Sequence, residues 1–253
     1  MALVWQKKTG AANYEVRHSG HSIRLYRNQV LHSQWNPKDP LKGSFWELFL
    51  LASFYTHRPP KRILILGVGG GAAVKLLQRY RNSVDADAQI VGVESDKTHI
   101  KIAKHYFGIS SSICELIHQD ALAWVSQYEG SGFDLIIDDL FIEWEKEPQR
   151  AIVDQKRWYQ RLNNLLCNRG GLVVNFADRD EWKRARKAMA GQRKQRFHSV
   201  AMLEHHKCQN RIVLLAKENI SLSLFKRNVL ESDAKKLLKY LERKVFKMRL
   251  IKI

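Results

Sequence analysis

Arg62-Ile63-Leu64-Ile65-Leu66-Gly67-Val68-Gly69-Gly70-Gly71-Ala72 is a short apolar run that breaks into glycines, and Ala73-Val74-Lys75-Leu76-Leu77 resumes at helical spacing. An apolar run without alternation predicts a strand buried on both faces, hence a parallel sheet. Glycines between strand and helix allow a tight turn and a close approach of backbone to ligand, with free helix N–H groups pointing at it. The stretch reads as a turn for a nucleotide-type cofactor. A turn that only packs strand on helix is the plainer alternative.

The same pattern recurs on its C-terminal side. Gln89-Ile90-Val91-Gly92-Val93-Glu94 predicts a second strand ending in a carboxylate, and residues 113–118 a third that leads into Asp120-Ala121. Phe133-Asp134-Leu135-Ile136-Ile137-Asp138-Asp139 predicts a fourth and residues 172–176 a fifth. Helices are predicted over 98–107, 122–128, 157–166 and 180–189, and an antiparallel pair over 198–204 and 211–216. Strands alternating with helices predict an α/β fold: a Rossmann-like, doubly wound, mostly parallel sheet, here of seven strands. Ligands bind such sheets at the carboxyl ends of the strands. Gly67–Gly71, Glu94, Asp120 and Asp138 all fall there, so four strand ends converge on one crevice.

Residues 14–35 alternate as short strands with Ser19-Gly20 as a turn, ahead of a Pro/Lys/Gly loop and a buried helix from Phe45 to Ala52. Pro59-Pro60 stops that helix. At the other end, Ser232 as N-cap and the stripe Ala234, Leu237, Leu238, Leu241 and Val245 predict a C-terminal helix. The chain divides into a β-rich lead-in plus helix (1–58), a cofactor-binding α/β domain (59–217) and a basic helical tail (218–253).

No apolar run approaches the ~20 residues of a membrane span, and the N-terminus lacks the apolar block of a signal peptide. The three cysteines, Cys114, Cys167 and Cys208, lie far apart without metal spacing. A reduced, cytoplasmic setting with no metal and no membrane partner is the expectation. The net charge of +18 permits a nucleic acid or acidic partner, with Lys183, Arg184, Arg186, Lys187, Arg193, Lys194 and Arg196 as the candidate face. A solvated coat reads equally well. A homodimer is also admitted.

Gly67-Val68-Gly69-Gly70-Gly71-Ala72 also fits a dinucleotide fingerprint ending in Ala. Two features weigh against it. Glu94 lies 27 residues beyond Gly67, where that pattern places its acid about 20 on. Asp120 has no duty in the dinucleotide scheme, but does where an adenosine lies across three strand ends.

In chain order, Gly67–Gly71, Val93-Glu94-Ser95-Asp96, His105-Tyr106-Phe107-Gly108, Gln119-Asp120-Ala121, the strand ending at Asp138, and Gly170-Gly171-Leu172-Val173-Val174-Asn175 resemble the spermidine-synthase-like branch of the class I S-adenosylmethionine-dependent methyltransferases. The resemblance covers roughly residues 10–217 and is strong over 61–176. It implies the class I methyltransferase type of sheet. The cofactor would be S-adenosyl-L-methionine or, alternatively, decarboxylated S-adenosylmethionine. By the same resemblance Gly67, Gly69 and Gly71 pass the amino-acid or aminopropyl arm, and Glu94, beside Ser95, holds the ribose hydroxyls. Asp120 accepts from the adenine amino group with Ala121 beside the ring, although Asp120 equally reads as a helix N-cap. Asp138 sits beside the sulfonium as the amine-activating aspartate. Asp139, Phe141 and Gln34 are candidate acceptor contacts.

Three departures matter. Gly70 stands where aminopropyltransferases carry a turn aspartate, and Phe141 where they carry a second aspartate for the diamine. An expected tyrosine is replaced around Phe45-Trp46. The cofactor half of the pattern is kept and the diamine half is not. The function expected from this reading is an S-adenosylmethionine-dependent methyltransferase acting on an amine-bearing acceptor. The alternatives are a spermidine-synthase-like aminopropyltransferase of polyamine biosynthesis, or a catalytically silent cofactor-binding or RNA-associated protein. The acidic stretch 138–147 would attract a cationic amine, or be simply solvated.

Overall fold

The computed structural model describes residues 1–10, 12–41, 44–79, 87–144, 147–152, 154–189, 197–231 and 246–251. Among these, eight strands form one sheet. They are β5 (Arg62–Leu66), β6 (Gln89–Glu94), β7 (Glu115–His118), β8 (Phe133–Asp138), β11 (Leu166–Phe176), β12 (Ser199–His205), β13 (Arg211–Ala216) and β14 (Phe246–Ile251). Their order is β14-β12-β13-β11-β8-β5-β6-β7. The pairs from β11 to β7 are all parallel, and β13 runs antiparallel to both of its neighbours. This is the doubly wound, mostly parallel sheet that the apolar runs predict.

Strand alternation divides the core into two layers. Ile63, Ile65, Leu135, Ile137 and Val173 pack with α1 (Trp46–Ser53) and α2 (Ala72–Arg79), while α3 (Lys97–His105) covers the same side. Leu64, Leu66, Ile136, Leu172 and Val174 pack against α4 (Ala121–Gln127), α5 (Gln155–Leu165) and α6 (Arg179–Met189). Each of these strand residues is essentially fully buried. Truncating one to Ala costs about 2–5 kcal/mol through lost burial and the cavity left behind.

The lead-in is a separate antiparallel sheet: β1 (Ala2–Lys8), β2 (Asn13–Ser19), β3 (Ser22–Arg27) and β4 (Val30–Trp35). The alternation over 14–35 predicts three of these strands; β1 is additional. Tyr14 donates its hydroxyl to Asp96 Oδ2 at 2.7 Å, joining β2 to the cap of α3.

Two segments differ from expectation. The acidic stretch after β8 is not a plain loop: β9 (Phe141–Trp144) and β10 (Glu147–Arg150) form an antiparallel hairpin. In the tail, α7 (Leu222–Glu231) is helical, but β14 adds an eighth, antiparallel strand beside β12. An apolar edge strand such as β12 presents unpaired N–H and C=O groups that a further strand satisfies. The predicted helix from Ser232 through Val245 lies outside the described residues, as do Arg193, Lys194 and Arg196. No helix among the described residues is long and apolar enough to cross a membrane.

Candidate active site

A cavity of about 1370 Å³ opens at the carboxyl ends of β5, β6, β7 and β8. Its floor is the turn after β5. Gly67 has φ +83°, and a Cβ added there would lie 2.5 Å from the Asp139 carbonyl oxygen. Only glycine lets the turn adopt that φ and lie against the end of β8. Asp139 N–H in turn donates to Leu66 O at 2.9 Å. Gly67 and Gly69 line the cavity, whereas Gly71 does not and packs against Ile109.

Gly70 is sealed. A Cβ there would meet Phe107 Cε2 at 2.8 Å and Ser33 Cβ at 2.8 Å, and its N–H donates to Ser33 Oγ at 2.7 Å. The position expected from family resemblance to carry an aspartate has no room for one.

Glu94 is buried at the end of β6 and lines the cavity. Its Oε2 accepts from Gly69 N at 2.8 Å and its Oε1 from Asp96 N at 2.8 Å, with His99 Nδ1 at 3.7 Å. Burial alone would raise its pKa; the neighbouring His99 and the two N–H donors outweigh it and hold the carboxyl below the usual range. Ser95, Asp120 and Ala121 line the same end. Asp120 caps α4, its Oδ1 accepting from Ala123 N at 2.9 Å. The N-cap reading and a place in the cavity wall therefore coexist.

Besides Gly71, two residues fall elsewhere than expected. Asp138 is fully buried and absent from the cavity wall. The last residue of β8 shares a face with Ile136, on the α5 side, so it meets Trp158 Nε1 at 2.8 Å and a bidentate Arg150 at 2.6 and 3.0 Å. Asp139, one residue on and past the alternation, is the carboxylate that faces the cavity. Gln34 is also outside the site, its Oε1 accepting from Arg24 Nε at 2.7 Å. Phe141 lines the cavity as expected.

Asn175 Nδ2 donates to Asp139 Oδ1 at 2.7 Å, and Asn175 Oδ1 accepts from Asn210 Nδ2 at 3.0 Å. Burial pushes the Asp139 carboxyl up to about 7, against the opposing influence of Asn175 and Arg150. His32 reaches the cavity from β4, its pKa lowered to about 4 by burial and by the neighbouring His99 and Arg27. Phe45, Trp46, Phe141 and Ile142 give the outer cavity apolar walls. Arg184, placed by sequence on the basic face, is at the cavity wall as well. Arg150 carries no sequence signal, because the β9–β10 hairpin brings it in; Asn175 shows in the sequence only as the end of a predicted strand, and His32 only as one of three lead-in histidines near the crevice.

The spermine/spermidine synthase domain family matches residues 49–231, and the chain belongs to that family. A relative from Caldanaerobacter subterraneus subsp. tengcongensis, named polyamine aminopropyltransferase 2, is 29% identical over 51% of this chain and 43% of its own. A mouse relative, named eEF1A lysine and N-terminal methyltransferase, is 28% identical over 48% of this chain and 18% of its own. The chain thus matches less than half the length of these curated relatives. The spermidine synthase of Thermotoga maritima superposes with a TM-score of 0.67 at 16% identity, covering 92% of this chain and 79% of that one, which supports the shared fold. The family favours the aminopropyl alternative over the methyl transfer expected from sequence.

Proposed function

We propose that the protein is a transferase that moves an aminopropyl group from decarboxylated S-adenosylmethionine to an amine. The observation that carries this reading is Asp139: a cavity-facing carboxylate beside the glycine turn, oriented by Asn175, with a pKa of about 7.

The donor set suits an adenosyl sulfonium. The turn at Gly67 and Gly69, the Glu94 carboxylate and Asp120-Ala121 line one continuous wall. In this reading Glu94 holds the ribose hydroxyls, its orientation fixed by Gly69 and Asp96, and Asp120 accepts from the adenine amino group. When bound, such a cofactor supplies an electrophilic carbon on a leaving group that departs without protonation.

An alkylamine is protonated at neutral pH and has no lone pair to offer. Asp139 takes that proton, a task for which a pKa near the working pH is well matched. Asn175 keeps the carboxylate oxygen in place, and the apolar walls Phe45, Trp46, Phe141 and Ile142 accept the alkyl chain. Holding the amine in line with the breaking bond supplies the rest. The lead-in is assigned the role of closing the cavity over the glycine turn, and the α/β domain that of holding the cofactor.

One observation favours a second reading. Gly70 has no room for the carboxylate that would meet an aminopropyl ammonium, which suits methyl transfer from S-adenosylmethionine. The two are separated by offering putrescine with each cofactor and following spermidine, methylthioadenosine and S-adenosylhomocysteine by chromatography. Spermidine and methylthioadenosine are expected. Formation of S-adenosylhomocysteine with a methylated amine, and no spermidine, would overturn the aminopropyl reading.

A further inference from the structure

Arg150 belongs to no sequence pattern, yet four elements converge on it. Its Nη2 meets Asp138 Oδ2 at 2.6 Å and its Nη1 meets Asp138 Oδ1 at 3.0 Å, at the end of β8. Nη1 also donates to Asn175 O on β11 at 3.3 Å. Nε forms an ion pair with Glu181 Oε1 of α6 at 3.4 Å. Trp158 of α5 completes the group through Asp138 Oδ2. The Arg150 side chain is 4% exposed and that of Asp138 is 0% exposed.

We propose that Arg150 is a positioning residue for Asp139. Through its bidentate pair with Asp138 it fixes the β9–β10 hairpin against the ends of β8 and β11. It thereby holds the Asp139–Asn175 pair at the cavity wall. The inference rests on the reading of Asp139 as the amine-facing carboxylate.

The chemistry explains why a charged pair sits here. An apolar pair would fill the same space without desolvating two ions. Asp138 and Asp139 are adjacent, however, and the charge on Asp138 raises the Asp139 pKa while that on Arg150 lowers it. Arg150 offsets the Asp138 charge through the bidentate pair, which lowers the Asp139 pKa and lets the cavity-facing carboxyl release its proton more readily. The polar and charged groups around Asp139 are Asn175 from β11, Arg150 from β10, Asp138 from its own strand end and Glu94 from β6. Arg150 and Glu181 of α6 both reach the cavity wall, and the buried Tyr159 hydroxyl of α5 lies close to Arg150.

The test reads the full-length protein without cofactor, by carboxyl ¹³C NMR titration assigned with D139N. R150M is expected to raise the Asp139 midpoint by about one pH unit or more, the scale of a lost neighbouring charge. D138N is expected to lower it, and R150M/D138N to return it close to the wild-type value. Hydrogen exchange at the Phe141, Ile142 and Arg150 amides is expected to quicken at least tenfold in all three variants. R150K, which keeps the charge but not the fork, is expected to retain the midpoint while its exchange quickens, so it decides the matter if R150M does not fold. An unchanged midpoint in R150M and D138N, or unchanged hairpin exchange in folded R150K, would overturn the proposal. These readouts need no turnover, so a failure of the transfer assays leaves them interpretable.

Discussion

Ser33 Oγ accepts the Gly70 N–H at 2.7 Å, so a strand of the lead-in is fastened directly to the glycine turn. The lead-in is therefore a wall of the cavity and not an appendage. Ser33→Ala would leave a buried N–H without a partner, at a cost of about 1–3 kcal/mol. For a chain of this size that corresponds to a fall of roughly 2–10 °C in Tm. Thermal denaturation reads the fall, and an unchanged Tm would show that the turn does not depend on β4.

Glu94→Gln is expected to weaken binding of either sulfonium cofactor by about 1.5–3 kcal/mol, the scale of hydrogen bonds to a charged group. Titration calorimetry measures it. The same carboxyl makes a pH-dependent contribution to stability. Its folded pKa is depressed, so the contribution is present above the unfolded value of about 4.3 and is lost as pH falls through the lower folded one. The urea midpoints of wild type and Glu94→Gln should differ at pH 6 and converge toward pH 3.

Asp139 has the opposite sign. Its folded pKa of about 7 lies above the unfolded value, so the folded state holds the extra proton and stability falls as pH rises toward 7. Asp139→Asn should therefore melt higher than wild type at pH 8, with the difference closing near pH 4. Its turnover should drop by ~10²–10⁴ if the carboxylate takes the amine proton. The wild-type rate should rise with pH through about 7. A folded Asp139→Asn variant with wild-type turnover would remove Asp139 from the mechanism.

Gly70→Asp should destabilise the protein by about 1–3 kcal/mol, because the new side chain overpacks Phe107 and Ser33. Combined with Phe107→Ala, which clears one of the two contacts, the loss should be smaller than the sum of the two single losses. The double variant would then carry a carboxylate in the turn itself, at the position where the family resemblance expects one. Its affinity ratio for decarboxylated over intact S-adenosylmethionine should rise above that of the wild type. Calorimetry with both compounds checks this.

The exposed face of α6 tests the polyanion reading of the +18 charge. Arg186 and Lys187 are exposed and do not line the cavity, whereas Arg184 does. Reversing Arg186 and Lys187 to Glu should leave cofactor affinity within a few-fold. If the face binds nucleic acid, the affinity for a duplex RNA should fall and its salt slope flatten by about one to two. The same reversal placed on Lys7 and Lys8 should have a smaller effect. Equal losses from both reversals would assign the binding to net charge alone.

The strands and the glycine turn were legible in the sequence because their signals are local. An apolar run such as Ile63–Leu66 declares a doubly covered strand. Glu94 and Asp120 declare themselves by standing at the ends of such runs. The sheet class, three strands of the lead-in and the place of the cavity follow from that periodicity. Tertiary structure alone decided which of two adjacent aspartates faces the cavity. A strand's period of two separates its faces, but it does not say which layer each face meets. Past the strand end the alternation lapses altogether, so Asp138 turns to Trp158 and Arg150 while Asp139 takes the cavity. The seal over Gly70 and the clasp of Arg150 are set by residues distant along the chain, Ser33 and Asn175 among them. Such meetings leave no periodic trace in a sequence, because they depend on how packed layers bring strand ends together and not on any local repeat.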